Sequence, residues 1–182
     1  MSKRNKNRPG YKKTSVGWIP VEWECVRLDA MNPFLTSGSR GWAKYYSESG
    51  SLFLRITNLK RENIHIDLSQ TRFVQVPYDC GEAHRTRVQP RDILISITAD
   101  LGIIGFISED IANRTAYINQ HICLMRLQSD SCSQKCVALS LAGPVSQRRF
   151  FRIVDQGAKA GLNLGAIRSF PIPLPPLPEQ KK

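Results

Sequence analysis

Eleven residues near the end of the chain constrain its folding more than any others. Phe170 to Gln180 reads FPIPLPPLPEQ, with prolines at 171, 173, 175, 176 and 178. Proline locks φ and removes a backbone donor, so neither a helix interior nor a central strand can run through this stretch. It is therefore expected to be extended, close to polyproline II. At Pro178-Glu179-Gln180 the pattern changes, because proline is tolerated in a first helical turn and an acid is favoured there. The sequence predicts a globular domain over 15–170 and a stiff exit with the opening of a helix over 171–182. A rigid strap across the domain is one reading of the prolines. A ligand for an aromatic groove of an SH3-like partner is the other.

Charge is the second constraint. The net charge is +11, and a basic excess of this size is the electrostatic footprint of a polyanion binder. Residues 1–17 hold Lys3, Arg4, Lys6, Arg8, Lys12 and Lys13 and no acid, which predicts a flexible basic tail over 1–14. The rest of the chain keeps 20 basic residues against 15 acidic, so the body is itself basic. The cysteines at 25, 80, 123, 132 and 136 are odd in number and scattered, and Cys132-x3-Cys136 lacks a second ligand pair. Reduced thiols and a cytoplasmic protein are the expectation. Ile93 to Ile107 is the longest mostly apolar run, and it holds Asp100. It is shorter than the roughly 18 residues of a membrane helix.

Short β-patterns fill the middle of the chain: Ser51–Leu59 and Ile93–Thr98, both with alternation, then Arg72–Val76, Ile103–Ile107 and Ile118–Leu127. They are not separated by long helical patterns, which argues against a doubly wound parallel sheet. Ser15–Trp23 reads as a lead-in that packs on the core, and Thr36–Gly50 as a long loop rich in Ser and Gly. Helical spacing comes late, at Val137, Leu141 and Val145, with a restart expected at Pro144. Asp155–Gly161 reads as a loop, and Asn163 as the cap of a short last helix. The fold class is α+β, with an irregular core.

The usual catalytic signatures do not assemble. Asn32-Pro33-Phe34 lacks the second proline of a methyltransferase clamp. Glu179-Gln180-Lys181 has no partner carboxylate for a metal nuclease. His65, His84 and His121 stand apart. The chain therefore reads as a binder, with no cofactor or metal called for.

Three basic clusters are candidates. The first runs through Arg40, Trp42, Lys44, Tyr45 and Tyr46 to Arg55, Asn58, Lys60 and Arg61. The second is Arg85, Arg87 and Arg91. The third is Arg148, Arg149, Arg152 and Lys159, with Asn163 just beyond. Arg grips guanine with two parallel hydrogen bonds, Asn and Gln do the same for adenine, and Lys and Tyr serve phosphates. Two readings stay open at several positions. Trp42 is a packing anchor or a contact, and Arg55 a contact or the partner of a buried carboxylate. Asn119-Gln120-His121 is a core network or a reader of bases.

An ordered set of segments resembles the specificity subunit of type I restriction-modification enzymes. The set begins with Gly17-Trp18-Ile19-Pro20, Trp23 and Leu28, then Tyr46–Leu59 with its LFLRITNL strand. Val88–Gly102 follows, where Asp92-Ile93-Leu94 follows Arg91 in place of the family's usual glycine. Asn119-Gln120-His121-Ile122 and the terminal LPPLPEQ complete it. The resemblance implies a single non-catalytic target-recognition domain with a twisted, β-helix-like core, leading into a truncated spacer helix. It implies reading one half of a bipartite duplex DNA target for partner methylation and restriction subunits, with self-association through the spacer helix as an option. A protein-interaction module, or a decoy that interferes with such a complex, are the alternatives.

Overall fold

The computed structural model describes residues 8–77, 80–128, 132–155 and 162–181. Its N-terminal element is a hairpin of Tyr11–Thr14 (β1) and Gly17–Pro20 (β2). Gly17, at φ 107°, takes a conformation that L side chains avoid. Residues 11–14 thus belong to an ordered strand and not to a flexible tail. A strand needs only backbone partners, and because residues 11–13 stay exposed their composition reads as a solvated arm.

Glu24–Arg27 (β3) is followed by a tight turn over 28–31. Phe34–Ser37 (β4), Tyr46–Ser47 (β5), Ser51–Leu54 (β6) and Phe73–Val74 (β7) come next, then a short helix, Gly81–Thr86 (α1). Ile93–Ser96 (β8), Ile104–Phe106 (β9), helix Glu109–Asn113 (α2), Ala116–Ile118 (β10) and Ile122–Arg126 (β11) complete the sheets. One sheet has the order β4-β11-β8-β9 and is antiparallel throughout. The other has the order β10-β6-β7-β5, with β10 parallel to β6.

The first sheet lies between two cores. Ile93, Ile95 and Met125 point into a cluster with Leu28, Leu141, Phe150 and Ile172. Leu94, Ile122 and Leu124 point into another with Leu54, Ile107 and Ile118. This is why β8 is an unbroken apolar run and not the alternation expected of a half-exposed strand. Asp92 sits fully buried beside it. Its carboxylate accepts from Arg126 Nε (2.8 Å) and Nη2 (2.7 Å) and from the Gln89 amide (2.7 Å). Burial holds this carboxyl above the ordinary range, against the opposing pull of the Arg126 and Gln89 bonds. Arg91, where the resemblance expects glycine, has φ 69°, a left-handed position that glycine takes without strain.

Helices cover one face. Ser133 caps Gln134–Ala142 (α3), and Pro144 opens Pro144–Asp155 (α4), the restart expected from the sequence. Asn163 caps Leu164–Arg168 (α5), its Oδ1 accepting from the Ala166 amide at 2.8 Å. Pro171–Leu174 (β12) then pairs antiparallel with β3, and Leu177–Gln180 (α6) opens a helical turn with proline in its first turn.

The proline spacing explains how β12 exists at all. Phe170 O accepts from Leu28 N at 3.0 Å, which puts the even-numbered backbone groups toward β3. Pro173 O faces the other way and accepts from Ser140 Oγ at 2.6 Å. The prolines at 171 and 173 therefore present their missing donors to the side where no strand pairs. Pro171 and Pro173 are buried, so the run is a strap, and this part of it is not available to an aromatic groove.

The expected long loop Thr36–Gly50 is largely structured. Thr36 and Ser37 end β4, and a helical turn over 42–45 leads into β5. Trp42, only 3% exposed, packs with Phe53 and Val74 and against the Tyr117 ring at 5.3 Å, so it is an anchor. Burial of such a ring holds a polar segment that has no apolar period of its own.

Candidate nucleic-acid interface

A polar concavity forms at one end of the first sheet. β4 and β8 both finish there, and β11 begins there, with Ser37 opposite Cys123 and Ser96 opposite Ile122. The segments that follow or precede these ends converge: Ser37–Arg40, Ile97–Thr98 and Gln120. The two sheets join at the same place, through the Ser39–Asn119 bridge and the bond from Ser39 N to Ile118 O at 3.0 Å. A Cβ on Gly38 would lie 2.1 Å from Asn119 O, so only glycine lets these backbones meet. The resulting groove, about 400 Å³, is completed by Glu82 and Arg85 of α1 and by Asn163.

Its side chains are held in different degrees. Arg85 Nη1 donates to Thr36 Oγ1 at 2.7 Å and to Ser37 O, and its Nη2 meets Glu82 Oε1 at 2.7 Å. Glu82 Oε2 accepts from Trp42 Nε1 at 3.0 Å, which ties the groove to the aromatic anchor. Gln120 Nε2 lies 3.1 Å from His121 Nε2. The other ring nitrogen, Nδ1, faces Thr98 Oγ1 at 2.5 Å. Asn119 Oδ1 takes the His121 amide. Asn119 and His121 thus form the polar network, while Gln120 lines the groove. Arg40 is exposed and has no hydrogen-bond or ion-pair partner among the described residues.

Other expected contacts lie outside the lining of this groove. Lys44 Nζ lies 4.9 Å over the Tyr45 ring, and Arg72 lies 5.1 Å over Tyr46, which is 43% exposed. Arg87 is exposed just past α1.

The segment Arg55–Arg61 is different. Asn58 is 1% exposed; its Oδ1 accepts from Arg55 N at 2.9 Å, and its Nδ2 donates to Asp67 O at 2.8 Å and Gln70 O at 3.3 Å. It is a structural residue, and the expectation that it touches a ligand is corrected by its burial. Among the described residues Arg55 meets no carboxylate; its Nη2 donates to Gln70 O at 3.1 Å, while its buried Nε has no partner there. Lys60 pairs with Asp67 at 3.1 Å. Asp67 is held at about 2, first by the Ser69 amide and hydroxyl and then by Lys60. Arg61 is engaged by Asp100, by Leu101 O at 3.0 Å and by Gln147 Oε1 at 2.7 Å. Arg61 fastens the 58–70 turn to the body, Arg55 ties its far end back to β6, and Lys60 closes it on itself. Lys159 lies outside the described residues.

The groove therefore gathers Arg40, Arg85 and Asn163 from three distant parts of the chain. Sequence reasoning missed Thr98 and Glu82. The available signal was that each sits just past an apolar strand or on a short helix beside one, where scaffolds carry binding residues.

Burial pushes the Cys123 thiol up to about 12, leaving it inert. Among the described residues no group of three or more His, Cys, Asp and Glu side chains is placed to hold a metal ion. No helix among them is long and apolar enough to cross a membrane.

A family model described as the type I restriction modification DNA specificity domain matches residues 50–182. The chain is similar in structure to the HsdS subunit of Thermoanaerobacter tengcongensis, with a TM-score of 0.61 and 20% identity over 96% of this chain. It is also similar to the type I restriction-modification S subunit of M. genitalium, with a TM-score of 0.62 and 13% identity over 88%. A chain from a study of complex assembly and conformational transition in the type I R-M system superposes with a TM-score of 0.62 and 19% identity over 90%. The chain spans only 36% or 37% of the length of each of these three.

Proposed function

The chain belongs to the type I restriction modification DNA specificity domain family, and on that premise we propose that it recognises one half of a bipartite duplex DNA target. The observation that carries this reading is the groove, where an unengaged Arg40 stands beside Gln120 and a fixed Arg85. Arg and Gln side chains complement guanine and adenine edges, and fixed backbones around them set register. The basic surface supplies the phosphate attraction that every duplex shares.

In this reading the chain does no chemistry itself and directs partner methylation and restriction subunits in the cytoplasm. Its irregular core is the β-helix-like scaffold of such domains. Leu177–Gln180 is the first turn of the spacer helix, through which two such units associate. The buried prolines support a structural strap over a peptide ligand.

Selection of bound sequences from a random duplex pool tests the proposal. A half-site motif is expected. An unenriched pool at low salt, with the protein folded, would overturn it.

A further inference from the structure

A second cationic surface lies outside the groove. α4 buries Ser146 and Phe150 and leaves Arg148, Arg149 and Arg152 exposed. Across a cleft of about 350 Å³ they face the turn of the N-terminal hairpin, Thr14 to Gly17. Among the described residues no acidic side chain lines this cleft. Of its hydroxyls, Thr14 Oγ1 donates to Gly17 O at 2.8 Å, Ser146 Oγ donates to Ser140 O at 2.7 Å, and Ser15 Oγ lies 3.3 Å from Cys25 Sγ. The guanidinium groups are its charged side-chain donors.

Arg149 lies 5.7 Å over the Phe170 ring, while Arg148 and Arg152 have no hydrogen-bond or ion-pair partner among the described residues. Those two stand one helical turn apart on the same face. The same hairpin carries exposed Lys12 and Lys13 on opposite faces of β1, so one of them extends the basic surface on the cleft's side. Like charges held this close repel unless an anion lies among them, and the planar fork of Arg matches phosphate with two parallel bonds. The cations extend over two elements, which suits an extended polyanion better than a single small ion. The cleft offers no Asn or Gln to read a base edge.

We propose that this cleft grips the sugar–phosphate backbone of duplex DNA without reading its sequence. It takes from the preceding reading only that the chain binds duplex DNA.

The test titrates the full chain and its Arg148→Gln/Arg152→Gln variant against two duplexes of equal length, one with the selected motif and one scrambled, across a range of salt. Affinity should fall by the same factor on both. The slope of log K against log salt should become shallower by about 1.8, two phosphate contacts at about 0.9 each. The ratio between duplexes should not change. Lysine at both positions keeps the charge and should restore most of the slope, and the unfolding midpoint should not move. Arg114→Gln/Lys135→Gln removes the same charge elsewhere and should alter the slope by less than about 0.5.

An unchanged slope, an altered ratio between duplexes, or an equal effect from the Arg114/Lys135 variant would each overturn the proposal. So would a variant that binds DNA normally but loses an acidic protein partner. If the wild-type chain binds neither duplex, the DNA reading falls as well. If it binds with preference and the variant matches it, only the cleft proposal falls.

Discussion

The groove around Arg40 and the turn from Arg55 to Arg61 are written in the same residue types. Both mix Arg, Lys and small polar side chains, and both follow an apolar strand. They differ in what surrounds them. The turn lies against carbonyls and acids, Gln70 O, Asp67 and Asp100 among them, which take up its donors. At the groove, Arg85 is taken up in the same way, but Arg40 is left over. A cation becomes a fastener or a contact according to the acceptors within reach, and its identity alone does not say which.

Mutations break the comparison if it is wrong. The largest effect is expected at Asn58→Ala, which strips partners from the Arg55 amide and from the Asp67 and Gln70 carbonyls. It should reduce stability by about 2–3 kcal/mol, read from the denaturant midpoint, with the preferred DNA sequence unchanged. A shift in preference would return Asn58 to the interface. Next is Arg40→Ala, expected to weaken duplex binding by about 1–3 kcal/mol and leave the unfolding midpoint where it was. Equal losses of stability and affinity would erase the distinction between the two regions.

The smallest effect is acid-dependent. Asp67 is held at about 2, below the roughly 3.9 of a free aspartate. A depressed carboxyl contributes stability above about pH 4, and that contribution is lost as the pH falls toward 2. Asp67→Asn should flatten this part of the stability profile, and the same slope in the variant would show that the turn is not fastened there.

Much of this was legible in the sequence where the cause is local. The restart at Pro144, the Asn163 cap and the helical turn after the prolines each depend on a few neighbouring residues. The groove was only partly legible. Arg40, Arg85 and Asn163 were singled out, but Glu82 and Thr98 were not, since they meet only because β4 and β8 end together against β11. Asn58 was misplaced because its partners lie 9 and 12 residues onward, across a turn with no apolar period.

The amino-acid order alone determined the extended exit and its one-sided proline spacing, because missing donors and locked φ angles act within single residues. It also determined the positive charge and the apolar runs that had to be buried. Only the tertiary structure decided which face of β12 would pair, which strand ends would share one rim, and which cations would find acceptors. Those outcomes depend on distances between residues far apart in the chain, and hydrogen bonds and ion pairs form only within a few ångströms.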